Sequence, residues 1–205
     1  LKAHLPYWEG VIHVVERAGR LVGLETEPVL AAAQLAGDPV IGPLIEARPG
    51  LRVPGTWGPF EASVQAVITT ELGQQAGKEA LGRMVEAHGT PVAGLGHGLT
   101  HAFPSAETLA AAERYGVPEN VEKTVRALAR EVAAGNISLD GGDSMDELIG
   151  SLTAVGGVSE KTAHRIARRL GERDAFPGEA NERSEAWRPW RALAATHLEA
   201  AAIRE

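Results

Sequence analysis

The stretch SMDELIGSLTAVGGVSEKTAHRIARRL, residues 144–170, does most to limit what this chain can fold into. Ser144 and Glu147 form the S-x-x-E pattern of a capping box ahead of Leu148, Ile149 and Leu152, so a helix begins there. The apolar spacing ends at Val155, and Gly156-Gly157 follows. Ser159, a residue that caps helix N-termini well, then opens a second helix. Ala163, Ile166, Ala167 and Leu170 share one face of it, while Lys161, His164, Arg165, Arg168 and Arg169 lie largely elsewhere. Two helices joined by so short a glycine turn fold back as a hairpin. The glycines let the backbone turn tightly and approach another chain, and the N–H groups opening the second helix suit an anion such as a phosphate. The same pattern also serves as a plain packing joint between helices.

Upstream, residues 9–24 carry Val11, Val14, Val15, Ala18 and Val22 at helical spacing, preceded by a short strand over 1–6. Asp38-Pro39 reads as a cap followed by proline at the first helical position. The Gly- and Pro-rich run 48–61 reads as a connector. The pattern over 59–88 is helical with a break near Gly73; residues 89–104 are a Gly-rich loop; helices recur over 105–115 and 118–134, and a turn spans 136–142. The class is mainly α with a minor β remnant.

Charge narrows the partners. Lys and Arg number 20 against 27 acidic residues, a net charge of −7, which disfavours a broad nucleic-acid surface. Between residues 159 and 173, however, Lys161, Arg165, Arg168, Arg169 and Arg173 outnumber Glu160 and Glu172, enough to hold a few phosphates. No apolar run approaches a membrane span, and no secretory leader is evident. With zero cysteines, disulfides and thiolate metal sites are excluded. The expectation is a cytoplasmic monomer without cofactor or membrane partner, cut from something longer because it begins at Leu1. His97 and His101 sit in a loop without a third ligand at sensible spacing, so no zinc site is expected.

The hairpin resembles that of base-excision DNA glycosylases, whose usual form is L-P-G-V/I-G-x-x-T-A; here it reads Val155-Gly156-Gly157-Val158-Ser159-Glu160-Lys161-Thr162-Ala163. RPGLRVPGTWGPFEASVQAV (48–67), GLTHAFPSAETLAAA (98–112), DAFP (174–177) and WRPWRALAATHL (187–198) are similar, in the same order, to the 3-methyladenine glycosylase II branch of that superfamily, particularly the form fused to methylation-response regulators in actinobacteria. The resemblance implies the bilobed helical fold of helix-hairpin-helix glycosylases over residues 25–205, with residues 1–24 a remnant of an N-terminal α+β domain. It implies duplex DNA as partner, held by Gly156, Gly157, Val158, Ser159, Lys161, Thr162, Arg165 and Arg168, and an alkylated base flipped into an aromatic pocket. It also implies a monovalent cation on the carbonyls of Thr153, Val155 and Val158, and a fused or associated regulatory domain.

Departures from the family pattern bear on chemistry. Ala180 fills the slot of the catalytic aspartate, and the long helix that should follow is mostly missing before Trp187. Pocket positions fall on Trp187, Trp190, Glu199 and Thr70. Glu199 replaces an aromatic, Lys161 a tryptophan, Arg165 a tyrosine, and Thr69-Thr70-Glu71 a Gly-Gln-Gln, although Gly73-Gln74-Gln75 follows in shifted register. Aromatics make up 4% of the chain, too few for an obvious substitute stacking surface. Remaining catalytic candidates are Glu179, as a displaced carboxylate, and Lys161, at the Schiff-base position of endonuclease III-like relatives. Three functions stay open: an unusual active glycosylase; a non-catalytic relative binding DNA, a small molecule or a protein; and a module with no ligand.

Overall fold

The computed structural model describes residues 10–94, 96 and 98–202. The strand expected over 1–6 and His97 lie outside them. The elements run α1 (Val11–Leu21), α2 (Pro28–Leu35), α3 (Ile41–Ala47), α4 (Pro59–Leu72), α5 (Gln74–His88), β1 (Thr90–Pro91), β2 (His101–Ala102), α6 (Ala106–Ala111), α7 (Glu119–Ala133), α8 (Met145–Ala154), α9 (Glu160–Leu170), α10 (Glu182–Ala186) and α11 (Arg191–Ala202). This is a mainly helical, helix-hairpin-helix glycosylase-like fold. None of the described helices is long and apolar enough to cross a membrane.

Two compact units share the chain, one formed by residues 1–57 with 167–205 and the other by 58–166. In the first, α3 packs on α11 and α2 on α3. Its core joins Ala31, Leu35, Ile41 and Ile45 to Trp187, Trp190, Leu193 and Ala194. Asp38 sets the start of α3: its Oδ1 accepts the N–H groups of Val40 and Ile41, each at 2.8 Å. The cap is where sequence places it, but the helix opens at Ile41 rather than at the proline, after one further turn.

In the second unit, α4 runs along α5, α6 along α7, and α4 also meets α7. Pro59 at the first position starts α4, where its missing N–H costs nothing. Gly73, at φ +80°, ends α4 and opens α5; the break expected there is real. Gln74 and Gln75 thus begin the next helix as exposed residues. The run expected as a Gly-rich loop contains a two-residue antiparallel ladder, Thr90 opposite Ala102 and Pro91 opposite His101. The helix expected over 105–115 ends at Ala111, because Ala112 turns to extended backbone at ψ 140°.

Candidate nucleic-acid interface and base pocket

The hairpin is built from both ends. Ser144 Oγ accepts the Glu147 N–H at 3.3 Å and the Glu147 carboxylate accepts the Ser144 N–H at 2.9 Å, so the expected capping box anchors α8. At its far end the Val155 N–H donates to Leu152 O and the Val158 N–H to Val155 O, each at 3.1 Å. Gly157 has φ +91°, and a Cβ there would lie 2.0 Å from Thr124 Oγ1 on α7. Both handedness and the neighbouring helix therefore demand glycine. Gly156 is exposed with nothing within 4 Å of an added Cβ. One side of the turn is thus clamped to α7 and the other faces outward.

Ser159 Oγ accepts the Thr162 N–H at 3.2 Å and lies 2.9 Å from Thr162 Oγ1. This brace buries Thr162, and Val158 is buried too. The side chains of Val158 and Thr162, expected among the DNA contacts, point into the protein; only their backbone remains eligible. Gly156, Gly157, Ser159 and Lys161 are exposed. The N–H groups of Glu160 and Lys161, in the first turn of α9, have no intrahelical acceptor. Of the cation-site candidates, Val155 O already closes the turn with Val158, and Thr153 Oγ1 donates back to Ile149 O at 2.8 Å.

The basic face expected along α9 is largely committed. Arg165 Nη1 donates to Thr70 Oγ1 at 3.1 Å across 95 residues of sequence. The Nη2 of Arg168 reaches both carboxylate oxygens of Glu199 on α11 at 2.8 Å, with the arginine side chain only 13% exposed. Such charge-assisted contacts are the strong class of hydrogen bond, so Arg168, expected among the DNA contacts, is paired within the protein. Arg169 is partly buried and donates to Pro54 O at 3.4 Å; burial and the adjacent Arg168 charge hold its pKa below the usual arginine value.

Two of these contacts involve positions expected in the base pocket. Thr70 pairs with Arg165, and Glu199 with Arg168. The tryptophans behave otherwise. Trp187 and Trp190 are buried in the core of their unit, Trp187 Nε1 donating to Asp38 Oδ2 at 2.8 Å and Trp190 Nε1 to Gln34 Oε1. Expected in the pocket wall, the two indoles here tie the segment from α10 to α11 to α2 and the start of α3. The Trp187 contact, with backbone donors from Ile41 and Val40 and the Arg183 charge, outweighs burial and keeps the Asp38 pKa low.

Around the slot expected for the catalytic aspartate, Gly178 sits so close to the Phe176 ring that an added Cβ would lie 2.5 Å from Cζ. Glu179 and Ala180 are exposed. Asn181 then caps the five-residue α10, its Oδ1 accepting the Ser184 N–H at 3.1 Å. The carboxylate of the DAFP segment, Asp174, accepts Arg191 Nε and Nη2 at 2.9 Å and Arg188 Nη1 at 2.5 Å. It is consumed by a structural ion-pair network that sequence reading did not find, since charge pairing across 17 residues has no local signature. Thr124, the residue that makes Gly157 obligatory, was missed for the same reason. Among the described residues no cluster of His, Asp or Glu is placed to hold a metal ion.

The AlkA N-terminal domain family matches residues 1–58, a span running past the boundary expected at residue 24. The chain is 34% identical over 204 residues to the "probable bifunctional transcriptional activator/DNA repair enzyme AlkA" of Mycobacterium tuberculosis, covering 89% of this chain but 41% of that protein. It is 24% identical over 203 residues to "DNA-3-methyladenine glycosylase 2" of Escherichia coli, covering 89% of this chain and 69% of the relative. Among solved structures, the 8-oxoguanine glycosylase/lyase of Clostridium acetobutylicum in complex with double-stranded DNA superposes with a TM-score of 0.75 at 16% identity, over 96% of this chain and 76% of that one.

Proposed function

This chain belongs to the AlkA-type 3-methyladenine DNA glycosylase II family of base-excision repair proteins, and from that premise we propose that it binds duplex DNA through its hairpin but has lost hydrolysis of the N-glycosidic bond. The observation that carries the reading is that positions expected to line the pocket are already paired, Arg165 with Thr70, and Glu199 with Arg168, a residue expected among the DNA contacts. A flipped alkylated base stacks on aromatic side chains, each such contact contributing about 1–3 kcal/mol. Here it would meet an arginine and a carboxylate that already satisfy other groups.

The chemistry points the same way. Cleavage develops positive charge at the sugar, which a fixed carboxylate stabilises. Ala180 has none, Asp174 is neutralised by Arg188 and Arg191, and Glu179 stands exposed in the loop. Loss of one such stabilising group costs about 10²–10³ in rate. Lys161 offers an amine, but the carboxylate next to it in sequence, Glu160, is exposed and lies 4.0 Å from His164 Nε2 rather than being held for imine turnover. Borohydride trapping on abasic duplex is therefore expected to be slight; strong trapping abolished by Lys161→Ala would restore an enzyme reading.

For binding, the turn supplies outward glycines, the backbone N–H groups of α9 and Lys161. The relatives named above include a DNA-bound glycosylase/lyase and an activator/repair enzyme, which supports duplex DNA as ligand and a place in a larger alkylation-response protein. Few phosphates can be neutralised on a body of net charge −7, so log K should fall with log salt at only about −0.9 per contact. Fluorescence anisotropy across a salt series tests this. Lys161→Glu should weaken all duplex sequences alike, and absence of binding at low salt would contradict the proposal.

A further inference from the structure

The unit formed by residues 1–57 and 167–205 contains a cavity of about 260 Å³. Its lining divides by burial. Val53, Trp190, Ala192 and Leu193 are buried and apolar, whereas Glu25 and Glu27 are exposed and Glu172 lies between.

The cavity wall is held open by backbone constraints. Arg52 Nη1 donates to Gly23 O at 3.2 Å and Thr26 O at 3.0 Å, and the Gly55 N–H donates to Arg20 O at 3.1 Å. An added Cβ at Gly23 would lie 2.4 Å from Val53 O, and one at Gly55 would lie 2.5 Å from Arg20 O. These segments already approach as closely as glycine permits, so the space is preformed, as ligand sites usually are.

Charge identifies the ligand class. Arg168 is offset by Glu199, and Arg20 faces Glu25 at 3.8 Å. Glu172 keeps a partly buried carboxylate with no cationic partner among the described residues, and burial raises its pKa. A carboxylate so placed is stabilised by an incoming cation. Trp190 supplies the other half: the Arg173 guanidinium lies over its ring, 5.5 Å from the centroid, showing that this face accepts a flat cation. Arg173 is itself exposed and free to leave. An anion would meet the carboxylates of Glu27 and Glu172.

We propose that this cavity binds a small planar organic cation, its ring on the Trp190 face in place of Arg173 and its charge against the Glu172 carboxylate. A cavity of about 150 Å³ holds benzene, so the larger volume here takes one ring with a cationic substituent.

Benzamidine is the probe, titrated calorimetrically into the whole chain, with neutral benzamide as control. Saturable binding is expected, with benzamide weaker by about tenfold or more for want of the ion pair. Glu172→Gln should weaken benzamidine by about tenfold and leave benzamide unchanged, whereas Arg173→Ala should tighten benzamidine by vacating the ring. Affinity should fall as acid protonates Glu172. Absence of saturation, equal binding of benzamide, or indifference to Glu172→Gln in a variant whose thermal melt matches the parent would overturn the proposal; the benzamide comparison decides it even should that variant fail to fold.

Discussion

Gly156 and Gly157 are neighbours of identical composition with opposite obligations. Gly157→Ala forces a side chain into left-handed backbone and onto Thr124 Oγ1 at 2.0 Å, so it should destabilise by at least about 2 kcal/mol in urea unfolding. Gly156→Ala meets nothing and should stay within about 0.5 kcal/mol of the parent. Adding Thr124→Ala should recover part of the Gly157→Ala loss, since the clash goes but the backbone strain stays. The Arg168–Glu199 pair is half exposed on the Glu199 side, so a double-mutant cycle with Arg168→Met and Glu199→Gln should give a coupling of only about 1 kcal/mol. At this scale the sequence showed which positions departed from the family pattern. It did not show that they pair with one another, because Arg165 and Thr70 stand 95 residues apart and only the tertiary fold joins them. The tryptophans misled for a related reason. An indole reads as pocket or core until its N–H partner is known, and those partners, Asp38 and Gln34, lie far away in sequence.

Among the elements, those with local causes were the legible ones. The capping box that starts α8, the break at Gly73 and the cap at Asp38 each rest on residues within a few positions of one another. The β1–β2 ladder was not legible, because two-residue strands in a glycine-rich loop exist only through their pairing, closed by the Val92 N–H on Thr100 O at 2.9 Å. The short α10 occupies the region where a longer catalytic helix was expected, and Asn181 caps it. Since α8 carries one arm of the hairpin, Ser144→Ala should cost about 1 kcal/mol. Amide exchange should then accelerate first in α8 and the turn after it, with α4 and α5 unchanged; uniform acceleration throughout would contradict a local anchoring role.

For the whole molecule, His197 contributes to the loss of stability in mild acid. The ring is buried in α11, and its pKa falls below 6.5 through burial and the Arg48 charge, against a hydrogen bond to the Leu44 backbone. The unfolded chain takes up a proton near pH 6.5 that the folded chain refuses. The ring's contribution is therefore complete above that pH and is lost as pH falls below it towards the depressed folded value. Thermal midpoints of the parent should drop more steeply from pH 7 to pH 5.5 than those of His197→Gln. The proposal for the molecule as a whole is that it binds duplex DNA through the hairpin but no longer excises bases. Single-turnover release of methylated purines from alkylated duplex, with protein in excess, tests that most directly. No release above the protein-free control is expected; steady release, abolished by Glu179→Ala, would show that a displaced carboxylate still drives excision and would contradict it.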